Sequence, residues 1–267
     1  MPETRRGGWL AVALLGVAAA ATAAGEDLAP FLSARQKAGA FADKNQWQDV
    51  AKTYGAFAAA QPQDACAPLA SALQGLILLR DLKQTEPARE AFLRAAKAPD
   101  TPFGREVRQV AFTWLARLQM QQIDVALRRY WVDRVEYPER LEQLAERKLA
   151  PPELLADPWG KPFKYSPRAL RAAPGLPRQI YTLECTAIAG DSRQLPRRLK
   201  ESAEFPKKFQ LKGIGGVRPL SALIAVDKAD KPVHVAEGEK IGSATLIKLT
   251  REGGILVDGG FVAVLAK

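Results

Sequence analysis

Asp157-Pro158-Trp159-Gly160-Lys161-Pro162-Phe163-Lys164-Tyr165 marks where a helical segment gives way to a strand. A proline disfavours helical backbone in the residue before it, so Pro158 holds Asp157 extended. Gly160 permits a tight turn that a residue with a Cβ enters only under strain. The turn leads into a strand, and Trp159 can cap an apolar face between a helix and a sheet. Trp159 and Tyr165 are therefore structural residues first. Truncating a buried ring of this size costs about 3 to 5 kcal/mol, which is the expectation for Trp159→Ala.

Upstream, Val107, Val110, Ala111, Trp114, Leu115, Leu118, Ile123, Ala126, Leu127 and Tyr130 mark one stripe at helical spacing. They predict a long amphipathic helix starting at about Phe103, whose exit is broken by Tyr137-Pro138. Downstream, Ile180-Tyr181-Thr182-Leu183 predicts a second strand. Earlier still, residues 28–102 are rich in Ala, Leu, Gln, Arg and Glu and are punctuated by prolines, which predicts short helices packed as hairpins. Ala51, Ala58 and Pro62 recur 37 residues later as Ala88, Ala95 and Pro99. That period resembles a slightly long tetratricopeptide repeat. Gly75 and Phe92 fit the pattern, Gly55 stands where the first copy would carry Phe92, and an alanine-rich bundle is the other reading. Trp47, Tyr54, Phe57, Phe92 and Phe112 are expected in the core.

Residues 209–267 change character. Short apolar runs at 222–226, 233–235, 244–249, 254–257 and 261–265 alternate with turns such as Glu237-Gly238-Glu239 and Asp258-Gly259-Gly260. The expectation is an α+β chain: helical hairpins (28–102), a long helix packed on a small antiparallel sheet (103–191), a basic linker (192–208) and a small all-β module (209–267). Removing the last module is expected to leave the rest folded, and its sheet edges are the expected docking surface.

At the other end, Arg5 and Arg6 precede an apolar run over residues 9–24 that ends in small residues, the order of a secretory signal cleaved after about Ala23. Sixteen residues, mostly Ala, fall short of the roughly 20 that span a bilayer, although an uncleaved inner-membrane anchor is the other reading. The expected location is the periplasm or cell envelope. A net charge of +10, concentrated at Arg193, Arg197, Arg198, Lys200, Lys207, Lys208 and Lys212, then suits a membrane surface, cell-wall polymer or acidic partner. Few aromatics accompany it, so platforms for stacking bases are missing and nucleic acid is not expected as a partner.

Cys66 and Cys185 are the two cysteines. Outside the cytoplasm they could form one disulfide, worth up to about 4 to 5 kcal/mol for so long a loop; two buried free thiols are the alternative.

Ala126-Leu127-Arg128-Arg129-Tyr130, then Tyr137-Pro138, and finally Asp157-Pro158-Trp159-Gly160-Lys161-Pro162 with Tyr165 resemble the periplasmic domain of the major pseudopilin of type II secretion systems over residues 117–191. Three departures matter. The apolar N-terminal run has no glutamate, so the chain is not expected to polymerise as a pilin does. The region where those domains often bind calcium offers only Glu184 and Asp191, too few carboxylates for a hard cation, and no metal is expected. Arg134-Val135 replaces the usual Asn-Gly, which predicts a reshaped turn. Residues 209–267 resemble the periplasmic homology region of inner-membrane proteins that dock on the secretin.

Signals of catalysis are sparse. The sole histidine, His234, alternates with Val233 and Val235 in a predicted strand, no serine sits in a Gly-x-Ser-x-Gly elbow, and residues 213–216 lack the Lys-Ser/Thr ending of a phosphate loop. No catalytic residue or cofactor is expected. The resemblances together imply a non-catalytic adaptor of a type II secretion or type IV pilus-like machine, partnered by secretin or other assembly proteins. The alternative is a soluble periplasmic helical-repeat scaffold that binds a peptide or protein.

Overall fold

The computed structural model describes residues 27–170, 175–188, 209–217, 219–226 and 231–266. The expected signal (1–23) and basic linker (192–208) lie outside these residues. Among the described residues, no helix is long and apolar enough to cross a membrane.

Two helical hairpins come first: α1 (Ala29–Ala42) with α2 (Trp47–Ala60), then α3 (Ala67–Arg80) with α4 (Thr85–Ala95). Helix α3 lies at the centre, flanked by α2 and α4, and is apolar almost all round, as a helix buried on every side must be. The small residues of the 37-residue echo do what their size allows. Ala88 and Ala95 are fully buried and let α4 approach α3 closely. A Cβ on Gly75 would fall 2.8 Å from the Phe92 ring, so the glycine makes room for that aromatic.

The next helix, α5 (Pro102–Arg134), runs for 33 residues. Thr101 caps it by accepting from the Gly104 amide at 3.0 Å, and Pro102 begins it, where a missing N–H costs nothing. Its stripe serves two cores in turn. Val107, Val110, Ala111, Trp114, Leu115 and Leu118 join the cluster of α1–α4. Met120, Ile123, Leu127 and Tyr130 join a second cluster with Leu141, Leu144, Phe163 and Leu183. That second core is closed by the short α6 (Glu142–Glu146) and by the antiparallel pair β1 (Lys164–Arg168) and β2 (Ile180–Glu184), in register at Tyr165 and Leu183.

The exit from α5 passes through Arg134-Val135. The chain leaves through a left-handed residue, the conformation for which glycine is ordinarily used, and Val135 occupies it at φ 61°, ψ 15°. A Cβ makes that conformation costly by about 1 to 2 kcal/mol, and a β-branched residue there is an outlier.

The C-terminal strands form two sheets, β3 (Phe209–Gly215), β4 (Ser221–Val226), β5 (Val233–Ala236) and β6 (Lys240–Ile241), β7 (Ala244–Leu249), β8 (Gly253–Asp258), β9 (Phe261–Ala266). Alternation explains their stacking. Ile255, Val257 and Val262 point into the helical core, whereas Leu256, Ala263 and Leu265 point at Ala222, Ile224 and Val235 of the other sheet. The result is three layers, helices, four-stranded sheet and three-stranded sheet, with β8 buried on both faces. Strand β3 runs beside β9, and β5 lies beside β6 and β7, so the sheets close on a shared core. The separable module expected from the sequence is corrected accordingly: removing it would strip Ile247, Ile255, Val257 and Val262 from the helical core.

Of the two readings of the cysteines, the structure has the two buried free thiols and not the bridge. Cys66 and Cys185 are both free and buried, Cys66 in the first core and Cys185 in the second, so they belong to different packing units.

Candidate functional site

The motif read first in the sequence folds around one carboxylate. Asp157 is 4% exposed, and its Oδ1 accepts from the amides of Trp159 at 3.0 Å and Lys161 at 2.8 Å. Its Oδ2 accepts from the Cys185 thiol at 3.3 Å. The Gly160 amide closes the turn onto the Asp157 carbonyl at 2.9 Å with φ 79°, and Ala156 pairs with Pro162 across it. Asp157, Pro158, Gly160 and Pro162 thus build a turn whose donors are all directed inward at the aspartate. The carboxylate is spent on holding two backbone amides and the Cys185 thiol.

Trp159 leaves that turn to meet the first half of α5. Its indole Nε1 donates to Gln109 Oε1 at 3.0 Å, and its ring stands edge-on to Phe112 with centroids 5.4 Å apart. The ring is half-buried, which corrects the fully buried wedge expected from the sequence. Trp159→Ala is accordingly expected to cost about 1 to 2 kcal/mol, because only part of the ring leaves water on folding. Denaturant melts measure this directly.

The tyrosines of the motif gather at the far side of the same unit. Tyr137 packs edge-on against Tyr181 at 4.6 Å, and Tyr165 lies 6.0 Å from the same ring. The Tyr165 hydroxyl donates to the carbonyl of buried Pro138 at 2.9 Å, which ties the helix exit to β1. Tyr130 is buried on α5 with the Arg147 guanidinium 5.2 Å above its ring. Two residues that the sequence reading missed hold the cluster to the helix. Tyr181 donates to Asp124, a buried carboxylate on α5, whose other oxygen pairs with Arg128 at 2.7 Å. The signal was there in principle, an aspartate among apolar neighbours of the stripe, but its partner lies 57 residues away.

A second tie joins α5 to the C-terminal layer. The Trp114 indole donates to the Gly260 carbonyl at 2.6 Å, and Thr113 Oγ1 lies 3.1 Å from the Gly259 carbonyl. The Trp114 ring stacks on Phe92 and meets Phe261 edge-on, with Arg117 4.6 Å over its face. A Cβ on Gly260 would fall 3.0 Å from both Arg117 Nη1 and Thr113 Cγ2, so glycine lets the turn lie this close to the helix.

Burial acts on both thiols and on three of the tyrosines in one direction. It pushes the Cys66 thiol and the Tyr54 hydroxyl up to about 12, and raises Tyr165, Tyr181 and Cys185 above their ordinary values. For Tyr181 the hydrogen bond to Asp124 adds to burial. These groups stay protonated, and Tyr165, Tyr181 and Cys185 act as donors. Each folded value exceeds the unfolded one, so their stabilisation is complete below the unfolded pKa and is lost as pH rises toward the folded value. Stability should hold to about pH 8.5, decline as an unfolded Cys66 ionises, and decline more steeply above about pH 10 when the tyrosines join. Urea midpoints measured from pH 8 to 11 check that order.

Outside these ties, the end of α5 carries apolar surface. Val132 is 72% exposed and Val135 60%, with Val125 at 45% and Trp131 at 38%. Val125, Arg128, Arg129 and Val132 share one helix face and, with Leu149, line a shallow groove of about 470 Å³. His234 is exposed on β5. Among the described residues, no group of three or more His, Cys, Asp and Glu is placed to hold a metal ion. No family model, curated protein or solved structure matches the chain.

Proposed function

We propose that this chain is a non-catalytic adaptor of a type II secretion or type IV pilus-like machine, working in the periplasm or cell envelope. One observation carries the reading: the apolar surface at the end of α5 is kept at a conformational cost. Val135 holds a left-handed position that glycine would fill with less strain, and its side chain lies exposed beside Val132 and Trp131. Strain retained at an exposed apolar residue points to contact made by that residue. The buried polar groups elsewhere in the fold are supporting observations, since Asp157, Asp124 and Trp114 are all engaged in holding one element to another. The docking surface proposed here is therefore the end of α5, and the β layers brace the helix that presents it.

The test is co-purification of the tagged full chain from gently solubilised envelopes. Recovery of secretin or other assembly subunits is the expected result. Their absence under conditions that keep the machine intact would overturn the reading.

A further inference from the structure

The two helical hairpins are packed differently at one pair of positions 37 residues apart, and a groove lies beside the first of them. In the second hairpin Phe92 fills the seam, lying against Gly75 and stacking on Trp114 with centroids 6.2 Å apart. The position 37 residues earlier is Gly55. Here α2 and α4 flank an open groove of about 640 Å³ over α3, within the range of about 300 to 1,000 Å³ typical of ligand clefts. Gln74 of α3 lies directly over Gly55, where a Cβ would fall 2.4 Å from its Nε2. The Gln74 Oε1 in turn accepts from Arg94 of α4 at 3.0 Å, which holds that guanidinium at the rim.

The chemistry of the groove is one-sided. Its walls are mostly Gly, Ala and Pro, with Lys52, Arg94 and Lys97 at the rim and no carboxylate among the residues that line it. Small walls let another backbone approach closely, and three cations on a rim whose lining holds no carboxylate select for negative charge. We infer that the groove between α2 and α4 binds an acidic peptide segment of a partner protein, its backbone along the alanines and its carboxylates at Lys52, Arg94 and Lys97. This inference rests on the groove alone and holds whichever assembly the chain serves.

The probe is a fluorescein-labelled ten-residue peptide alternating Ala and Glu, with an alternating Ala and Lys peptide as its counterpart, titrated against the full chain at low ionic strength by anisotropy. The Ala/Glu peptide should bind and the Ala/Lys peptide should not. Reversing the rim charges together (Lys52→Glu, Arg94→Glu, Lys97→Glu) should weaken binding at least tenfold. Filling the groove from an exposed position (Ala56→Trp) should weaken it at least fivefold with the charge unchanged. Both changes lie on exposed side chains, and a melt matching the parent verifies the fold. The inference fails if the acidic peptide does not bind, if Ala56→Trp binds it as well as the parent, or if inorganic phosphate displaces it at similar concentration. It also fails if reversing three remote exposed lysines (Lys44→Glu, Lys161→Glu, Lys240→Glu) weakens binding as much as reversing the rim.

Discussion

Trp114→Ala is expected to destabilise the chain by about 3 to 5 kcal/mol and to loosen the C-terminal layers from the helices. The ring is fully buried at the meeting point of three elements: Phe92 of α4 on one face, Phe261 of β9 at its edge, and the Gly259-Gly260 turn at its nitrogen. Truncation creates a large cavity and also leaves the Gly260 carbonyl without its donor, and neither loss can be made good by local collapse around a glycine turn. Urea unfolding gives the magnitude. Limited proteolysis gives the location, with cleavage expected to increase between the helical and C-terminal parts. Trp114→Phe, which keeps most of the ring and loses the hydrogen bond, should cost distinctly less.

Asp157→Ala is the second large effect, at about 3 kcal/mol, although it removes only a few atoms. Two backbone amides and one thiol are directed at that carboxylate in a buried turn, and an orphaned buried donor costs about 1 to 3 kcal/mol. Asp157→Asn retains an oxygen for both amides and should cost less than about 1.5 kcal/mol. The ratio between the two substitutions separates loss of the acceptor from loss of the charge. Equal effects would mean that charge, and not the capping of Trp159 and Lys161, holds the turn.

Elements whose evidence is local were legible in the sequence. The stripe from Val107 to Tyr130 gave its helix because spacing along one face needs no knowledge of the partner, and the strands at 244–249, 254–257 and 261–265 followed from short β-branched runs between glycine turns. Gly160 in its turn was legible for the same reason. What was illegible depends on contacts between distant residues. Trp114 and Gly260 are 146 positions apart, so Asp258-Gly259-Gly260 read only as a turn and its embedding against α5 was hidden. Trp159 was overrated because its type signals burial, whereas its half-exposure depends on where Gln109 and Phe112 happen to lie. The separability of the β module was misjudged because alternation along β7 to β9 cannot say that both faces are covered. At the proposed docking surface the opposite holds. Val132 and Val135 were visible as residues, but the left-handed backbone at 135 belongs to the fold and not to the composition.

The left-handed backbone at 135 makes it possible to test whether the end of α5 is a docking surface. Val135→Gly should raise stability by about 1 kcal/mol by relieving the left-handed strain, while removing exposed apolar surface; Val132→Asn removes more of it from a position 72% exposed. The measurement is co-purification of envelope proteins with the tagged double variant beside the parent, each melted beforehand. The expected result is a variant at least as stable as the parent that recovers its assembly partners at least tenfold less. A variant of equal stability that recovers the same partners at undiminished yield would contradict it.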